Sequence, residues 1–495
     1  MAFRVRADHV VAFQDGGHVL LPDGEVVIEG DVVTAVGPRA DPNPGDEVIE
    51  TGASVLLPGL IDLDALADID HAVFDSCWGA AHSAGLDWSA DWFHNRRRDV
   101  LTAAERRFVR HYAFVQLLLH GVTTAMPIAA ETHSAWAETF DDGVDMAHAA
   151  SALGLRAYLG TSYRAGVRIR PAATEPATVA WNEELGRAGL ADAVRFAEWL
   201  RDLGDPLLRP VLLPCRIETL TPELMKATAA AAARLGTKVR LHCLQGRFEW
   251  IRLGERYRRT PVQLLRETGL LGPNLLVPHA IYLNSSRCTA DLVDAGDPGD
   301  DLRALADAGV AIVHCPLTSA RYGSALESFA RYRAAGVTIA LGTDSFPPDL
   351  VRGMDYGVNI AKLVDGRLDA ASAGAYLTAA TLGGARALGR TDLGRLAPGA
   401  AADLVAFSLD DLRDGVLEDP IRTLLASGSG RDVRLSMIAG RVVVRDGVVP
   451  GVDISALRTE AQRIFDKLLR AYSERDVLRR PRPELLPPEY PDFRR

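Results

Sequence analysis

Short apolar segments rich in Val, Ile and Leu alternate with helical stretches through the middle of the chain, and this alternation restricts the fold more than any other feature. Strands separated by helices build parallel sheets from repeated βα units. We predict strands at residues 58–64, 122–127, 155–160, 209–214, 238–243, 275–280, 310–315 and 337–343. This pattern favours an α/β fold of the (β/α)8 TIM-like barrel type, in which catalytic residues come from the carboxyl ends of the strands.

Both ends of the chain carry a different pattern, with alternating apolar residues and Gly or Asp at the breaks. Such segments are typical of antiparallel strands. We expect residues 1–57 and 394–450 to form one small β-sandwich domain and residues 58–393 to form the barrel. Residues 451–495 are expected to form a C-terminal helix, over 453–474, and an extended tail.

The composition excludes several classes of function. The 55 Lys and Arg against 65 Asp and Glu give a net charge of −10, which argues against nucleic-acid binding. No uninterrupted apolar run is long enough to cross a membrane. The five cysteines are scattered and odd in number, so a disulfide scaffold is not expected. We expect a cytoplasmic protein that acts on a small molecule and assembles as a homodimer through its C-terminal helix and tail.

Polar residues stand at the ends of four consecutive predicted strands. His242, His279, His314 and Asp344 each follow an apolar run. Because the carboxyl ends of barrel strands meet at one mouth, these side chains are expected to converge on a site. Cys243 and Cys315 each follow such a histidine, so they are expected to face the helices as core thiols.

Five segments carry recognisable motifs, at 58–62, 314–319, 342–344, 379–389 and 399–405. Together they resemble the amidohydrolase superfamily, in particular the branch with triazine hydrolases, guanine and cytosine deaminases and chlorohydrolases, and the resemblance extends over about residues 10–450. It implies that His242 and His279 bind one divalent metal, zinc before iron or manganese. By the same resemblance Asp344 is both a ligand and the base for the attacking water, and His314 is a catalytic group beside the metal or substrate.

The chain departs from this family at two places. The first barrel strand of the family ends in His-x-His, where this chain has Asp64 and Leu66. A carboxylate can bind zinc and a leucine cannot, so the expected ligands are Asp64, His242, His279 and Asp344. Gln245 stands where the deaminase branch has a catalytic glutamate. Glutamine cannot donate and recover a proton, which argues against ring deamination by the usual route.

Further residues near the strand ends are candidates for the substrate site. Arg164, Arg216, Glu218, Arg321 and Tyr322 are the expected substrate-binding residues. Arginine suits a substrate carboxylate because its guanidinium forms two parallel hydrogen bonds. Whether His71 or Glu131 compensates for the missing histidine pair is left open by the sequence.

These residues favour an amidohydrolase-like hydrolase that acts on a non-peptide C–N bond of a small molecule with water activated by a divalent metal. Two alternatives stay open. One is an enzyme of the same fold that uses Asp and His acid–base chemistry without a metal. The other is a non-catalytic binding or scaffold protein that keeps the barrel. The substrate itself is not specified by the sequence.

Overall fold

The computed structural model describes residues 2–69, 87–128, 134–292, 300–490 and 493. The strands in chain order are β1 (Phe3–Gln14), β2 (Gly17–Glu29), β3 (Val32–Pro38), β4 (Glu47–Glu50), β5 (Ser54–Pro58), β6 (Leu60–Leu66), β7 (Trp88–Ser89), β8 (Val122–Ile128), β9 (Arg156–Leu159), β10 (Ser162–Tyr163), β11 (Gly166–Arg170), β12 (Thr178–Trp181), β13 (Leu208–Pro214), β14 (Lys238–Arg240), β15 (Leu275–Pro278), β16 (Ala311–His314), β17 (Thr338–Leu341), β18 (Leu404–Ser408), β19 (Val433–Ile438) and β20 (Arg441–Arg445).

The α-helices are α1 (Ala103–Leu119), α2 (Phe140–Leu153), α3 (Glu183–Leu203), α4 (Pro222–Leu235), α5 (Arg247–Tyr257), α6 (Pro261–Glu267), α7 (Asp301–Asp307), α8 (Pro316–Arg321), α9 (Phe329–Ala334), α10 (Leu350–Asp365), α11 (Ala373–Thr378), α12 (Gly384–Leu388), α13 (Pro420–Ser427), α14 (Ile454–Arg475) and α15 (Arg482–Leu485). Many begin with a side-chain cap. Thr102 and Glu105, for example, form a reciprocal capping box that satisfies backbone N–H groups at the start of α1.

Eight of the described strands form the predicted barrel. Their order is β6, β8, β9, β13, β14, β15, β16 and β17, and neighbouring strands along this path run parallel. At the mouth, the backbone N–H of Asp344 donates to the carbonyl of Asp64 at 2.8 Å and joins the last strand to the first. The interior is filled by apolar side chains such as Leu63, Met126 and Leu276. The barrel expected from the strand–helix alternation is therefore confirmed.

Strands from both termini form a separate sheet, as expected. Its order is β20, β19, β18, β5, β1, β2 and β3, and β4 pairs with the start of β1. The sheet surrounds a core of its own that includes Val5, Val26 and Leu404. A buried ion pair connects it to the barrel, because the Arg156 guanidinium donates to both carboxylate oxygens of Asp403 at 2.6 and 2.9 Å.

The C-terminal helix forms nearly where the sequence predicts it. In α14 the apolar side chains of Ile464 and Leu468 pack against Val109 of α1, within the same chain. The tail continues into α15, where Leu485 packs on Tyr472. None of the helices in the described part of the chain is both long and apolar enough to span a bilayer.

Candidate metal centre and active site

A carboxylate and two imidazoles meet at the mouth of the barrel. Asp64 lies in β6, and His242 and His279 follow the ends of β14 and β15. The Nε2 atoms of the two histidines lie 3.5 Å (His242) and 3.9 Å (His279) from Oδ2 of Asp64. All three side chains are buried, and their nearest ligand atoms fall within 4.8 Å of one another. Three of the predicted metal ligands therefore share one centre.

The hydrogen bonds of the histidines leave electron-rich atoms facing Asp64. Nδ1 of His242 lies 3.2 Å from the carbonyl of Cys215, and because a carbonyl only accepts, this nitrogen carries the proton. Nε2 of His279 is buried and has no hydrogen-bond partner among the described residues. Burial lowers the pKa of His279 to about 3, so its ring is neutral. Both imidazoles therefore present Nε2 to the carboxylate, and the Nε2 of His279 carries a lone pair.

The carboxylate of Asp64 stays ionised in this setting. Burial alone would raise its pKa, but His242 and Arg240 outweigh burial and hold the pKa below the ordinary value. The contacts of 3.5 and 3.9 Å are too long for charge-assisted hydrogen bonds, which measure about 2.7–2.9 Å. Ligands of tetrahedral zinc, each about 2.1 Å from the ion, stand about 3.4 Å apart. The spacing and the donor set of this centre therefore fit a divalent cation.

Asp344 joins the centre through His279. Its Oδ2 lies 3.5 Å from Nε2 of His279. The two residues have backbone φ angles of 42° and 66°, in the left-handed region that non-glycine residues rarely adopt. Such backbone costs about 1–3 kcal/mol and is found where a site requires it. The strained backbone is therefore consistent with a fixed placement of both side chains.

One residue that sequence reasoning missed is Arg240. Its Nη1 lies 3.1 Å from Oδ1 of Asp64 and also donates to the carbonyls of Leu63 (3.1 Å) and Met126 (2.5 Å). The side chain is 1 % exposed, deep in the barrel. The sequence contained a signal for this position. Arg240 precedes His242 by two residues, and residues two apart in a strand share a face, so both side chains are expected to face the barrel interior.

Leu66 occupies the position of the second histidine in the family's His-x-His motif. It is a buried apolar residue, so it offers no ligand atom to a metal. Cys315 approaches the centre instead. Its Sγ lies 3.5 Å from Oδ2 of Asp64, and its neighbour in the interior core is Val313. The expectation that Cys315 faces the helices was therefore wrong. Cys243 does belong to the large core outside the barrel lumen.

A cavity of about 470 Å³ opens above the centre. His279 and Asp344 form part of its wall, together with the predicted substrate or catalytic residues Arg164, Arg216, Glu218, Gln245 and Tyr322, and with others such as Trp88, Phe248 and Glu249. This volume lies in the range of about 300–1,000 Å³ that small-molecule sites occupy. The structure thus places seven of the predicted residues around one space, two of them, His279 and Asp344, shared with the centre.

Two buried carboxyl groups in this wall have altered acidity. Burial raises the pKa of Glu218. Burial, and then the charge of Glu218, raises the pKa of Glu249 to about 8, so Glu249 holds its proton at neutral pH. Beside them the Arg216 guanidinium donates to Oε1 of Gln245. The wall therefore contains acids that can carry a proton although Gln245 cannot.

Two predicted residues lie away from the cavity wall. His314 packs against Phe329 and Tyr376, with its Nε2 3.4 Å from the Tyr376 hydroxyl, and lines a small adjoining cavity. Its strand neighbours Val313 and Cys315 face the interior, so alternation directs His314 outward. Arg321 donates to Ser345 Oγ and to the carbonyl of Phe346. The expectation that His314 is a catalytic group beside the metal or substrate stays a prediction, and its ring lies against Tyr376 and Phe329 rather than in the wall of the main cavity.

His71 and Glu131, considered as substitutes for the missing histidine pair, lie outside the described residues. Neither is placed in relation to the centre.

Comparison with known proteins agrees with the barrel fold. The model of the amidohydrolase family matches residues 55–443, and the chain belongs to this family. An 8-oxoguanine deaminase of Pseudomonas aeruginosa is 29% identical over 445 residues, which cover 88% of this chain and 92% of the relative. An isoxanthopterin deaminase from an unknown prokaryotic organism is 28% identical over 480 residues, covering 91% of this chain and 93% of the relative.

Solved structures show the same fold. An adenosine deaminase from Xanthomonas campestris with bound zinc superposes with a TM-score of 0.73 at 22% identity, covering 94% of this chain and 98% of that chain. An atrazine chlorohydrolase from Arthrobacter aurescens, complexed with zinc, gives a TM-score of 0.72 at 21% identity, with 94% and 100% covered. The resemblance inferred from the sequence motifs is confirmed at the level of family and fold.

Proposed function

We propose that this protein is a metal-dependent hydrolase that cleaves a non-peptide C–N bond of a small molecule. The observation that carries the proposal is the buried centre of Asp64, His242 and His279, whose electron-rich atoms face one another at distances suited to a divalent cation. A bound divalent ion lowers the pKa of water toward 7 and polarises the bond under attack. Zinc suits this mixed set of nitrogen and oxygen donors, with iron or manganese as alternatives.

Asp344 is the proposed base. Its carboxylate lies against His279 and also forms part of the cavity wall, so it can take a proton from the attacking water on the substrate side of the centre. His279 acts as a neutral donor because its pKa is depressed, and His242 turns its Nε2 to the centre because its Nδ1 is held by the Cys215 carbonyl.

The proton for the substrate needs another source, because Gln245 cannot supply it. We assign this role to Glu218, supported by its buried position in the cavity wall beside Arg216 and Gln245. Glu249 adjoins the same space and retains its proton at neutral pH, so it can replenish Glu218. Ring deamination, against which the glutamine argues when the usual route is considered, is compatible with this arrangement. An amino-substituted heterocycle is therefore the substrate class we propose.

The experiment is an ammonia-release assay on metal-stripped protein and on protein reloaded with zinc, iron or manganese. The substrate panel consists of 8-oxoguanine, isoxanthopterin and 5′-methylthioadenosine, and atrazine, followed by chloride release instead of ammonia release, serves as a probe for C–Cl cleavage. We expect release only after reloading. Turnover that survives thorough chelation would instead support the metal-independent alternative, and a lack of turnover with tight ligand binding would support the non-catalytic one.

Glu218→Gln tests the proton source. We expect it to lower turnover by about 100-fold at unchanged zinc content, because general acid catalysis contributes factors of that order. Glu223→Gln on the exposed side of α4 is the control and should leave turnover unchanged. Full activity of the Glu218 variant would contradict the assignment.

The homodimer and the cytoplasmic location stay predictions. The apolar side of α14 is already covered by α1 of its own chain, so this helix does not by itself provide a dimer surface. Sedimentation of the purified protein and cell fractionation would test the two expectations.

A further inference from the structure

Arg240 brings a permanent positive charge into the apolar lumen of the barrel. Its side chain is 1 % exposed, and isolated charges at such depth are strongly unfavourable unless they are paired. The carbonyls of Leu63 and Met126 accept hydrogen bonds from its Nη1. Because these carbonyls belong to β6 and β8, the backbone of the barrel itself fixes the position of the guanidinium.

The two oxygens of Asp64 have different partners. Oδ1 faces Nη1 of Arg240 at 3.1 Å, whereas Oδ2 faces the two imidazoles. One oxygen of the carboxylate therefore contacts the guanidinium of Arg240, and the other contacts the metal centre. Its orientation toward the histidines is set by the ion pair behind it.

The formal charges explain why such a pair is needed. Two carboxylates, Asp64 and Asp344, would cancel the charge of a divalent ion and weaken its effect on water. A centre with an imidazole in place of Asp64 would instead retain one positive charge. Adding Arg240 to the carboxylate centre restores that same single positive charge.

We propose that Arg240 is a positioning and charge-balancing residue, which lets Asp64 serve the metal centre as a neutral imidazole would. The inference rests on the proposed function, since it requires a divalent ion at this centre. It predicts that residues 64 and 240 are exchangeable only as a pair. Asp with Arg, or His with a neutral residue, gives the centre a single net positive charge when a divalent ion is bound, and mixed combinations do not.

The test is a double-variant cycle read out as zinc affinity, with Zn²⁺ alone added to metal-stripped protein in competition with a chromophoric chelator. The variants are Asp64→His, Arg240→Gln and the combination of both. Glutamine removes the charge but keeps an N–H donor for the two carbonyls. We expect Asp64→His to weaken zinc binding by about tenfold or more, because Arg240 then lies beside a neutral ligand without a counter-charge. The combined variant should return to within about threefold of the original protein.

Thermal unfolding supplies a second readout. Arg240→Gln leaves the Asp64 charge buried without its partner, so the metal-free protein should lose more thermal stability than the zinc-loaded protein. Arg156→Gln is the matched control, because it breaks the buried pair with Asp403 far from the centre. It should lower the unfolding temperature of both forms alike and leave zinc affinity unchanged.

The outcomes separate this inference from the proposed function. If the original protein takes up neither zinc nor iron nor manganese, both fail. If it binds zinc and Asp64→His binds it equally well with Arg240 in place, only the charge-balancing role is overturned. That role is also overturned if the combined variant binds zinc no better than Asp64→His alone. Should Arg240→Gln fail to fold, Arg240→Met in the Asp64→His background gives the same comparison.

Discussion

Asp62 accepts two hydrogen bonds from Thr343, one from Oγ1 at 2.6 Å and one from the backbone N–H at 3.0 Å. The pair joins the first barrel strand to the segment after the last one. Both residues are buried. In the chain, Thr343 directly precedes Asp344, and Asp62 lies two residues before Asp64. The Asp62–Thr343 contact therefore fixes the spacing between Asp64 and Asp344 at the point where the barrel closes.

Thr343→Val tests this closure. The variant removes the hydroxyl donor and leaves Asp62 with one hydrogen bond fewer in a buried site. We expect the free energy of unfolding to fall by about 1.5–3 kcal/mol, the range for a hydrogen bond to a charged group. Urea denaturation measures the loss. Thr34→Val on the exposed part of β3 is the control, and an equal loss there would contradict a special role for the buried contact.

Much of the fold follows from residue patterns. Each predicted barrel strand overlaps an observed one, because buried parallel strands read as continuous apolar runs. β14 is shorter than expected, since residues beyond Arg240 make only isolated bridges, as between His242 and Arg216. The convergence of His242, His279 and Asp344 was also predictable, because barrel strands end at one mouth.

The directions of individual side chains were harder to predict. His314 and Cys315 are neighbours at a strand end, and the sequence alone does not say which of them faces the lumen. The register of β16 against β15 and β17 decides this, and it directs Cys315 inward. At His279 the left-handed backbone turns the side chain independently of strand alternation. Such backbone is determined by tertiary contacts, so local sequence patterns do not reveal it.

Glu249 should give the protein a distinctive dependence of stability on pH. Burial and the charge of Glu218 raise its pKa to about 8, so the folded protein binds a proton that the unfolded chain has already released. Stability contributed by this group is therefore present at low pH and is lost as pH rises from about 4.5 toward 8.

Glu249→Gln removes that titration but keeps an oxygen that can accept from Gly246 N–H at the start of α5. We expect the unfolding temperature of the variant to vary less between pH 5 and pH 8 than that of the original protein, by about 2–4 °C or more. Differential scanning calorimetry at several pH values measures the slope, with the exposed Glu184→Gln as control. An unchanged slope would mean that Glu249 is ionised in the folded state.

Asp344→Asn tests whether Asp344 acts as the catalytic base or only as a metal ligand. The amide keeps the size of the side chain but cannot accept a proton, so we expect turnover to fall by about 100-fold or more even when zinc is saturating. The measurement is kcat at several zinc concentrations, together with the metal content of the variant. Activity that returns fully at high zinc would show that Asp344 acts only as a ligand.

His314→Gln tests whether a histidine at a strand end contributes to the chemistry. Its side chain contacts Tyr376 and Phe329 and is absent from the wall of the main cavity, so we expect no direct contact with a substrate bound there. We expect zinc content to stay the same and turnover to change by less than about threefold, with some loss of thermal stability from the buried site. His279→Gln, made in parallel, should lose both zinc and turnover because its Nε2 faces Asp64. A large loss of turnover in the His314 variant at full zinc content would show that the ring acts on the substrate after all.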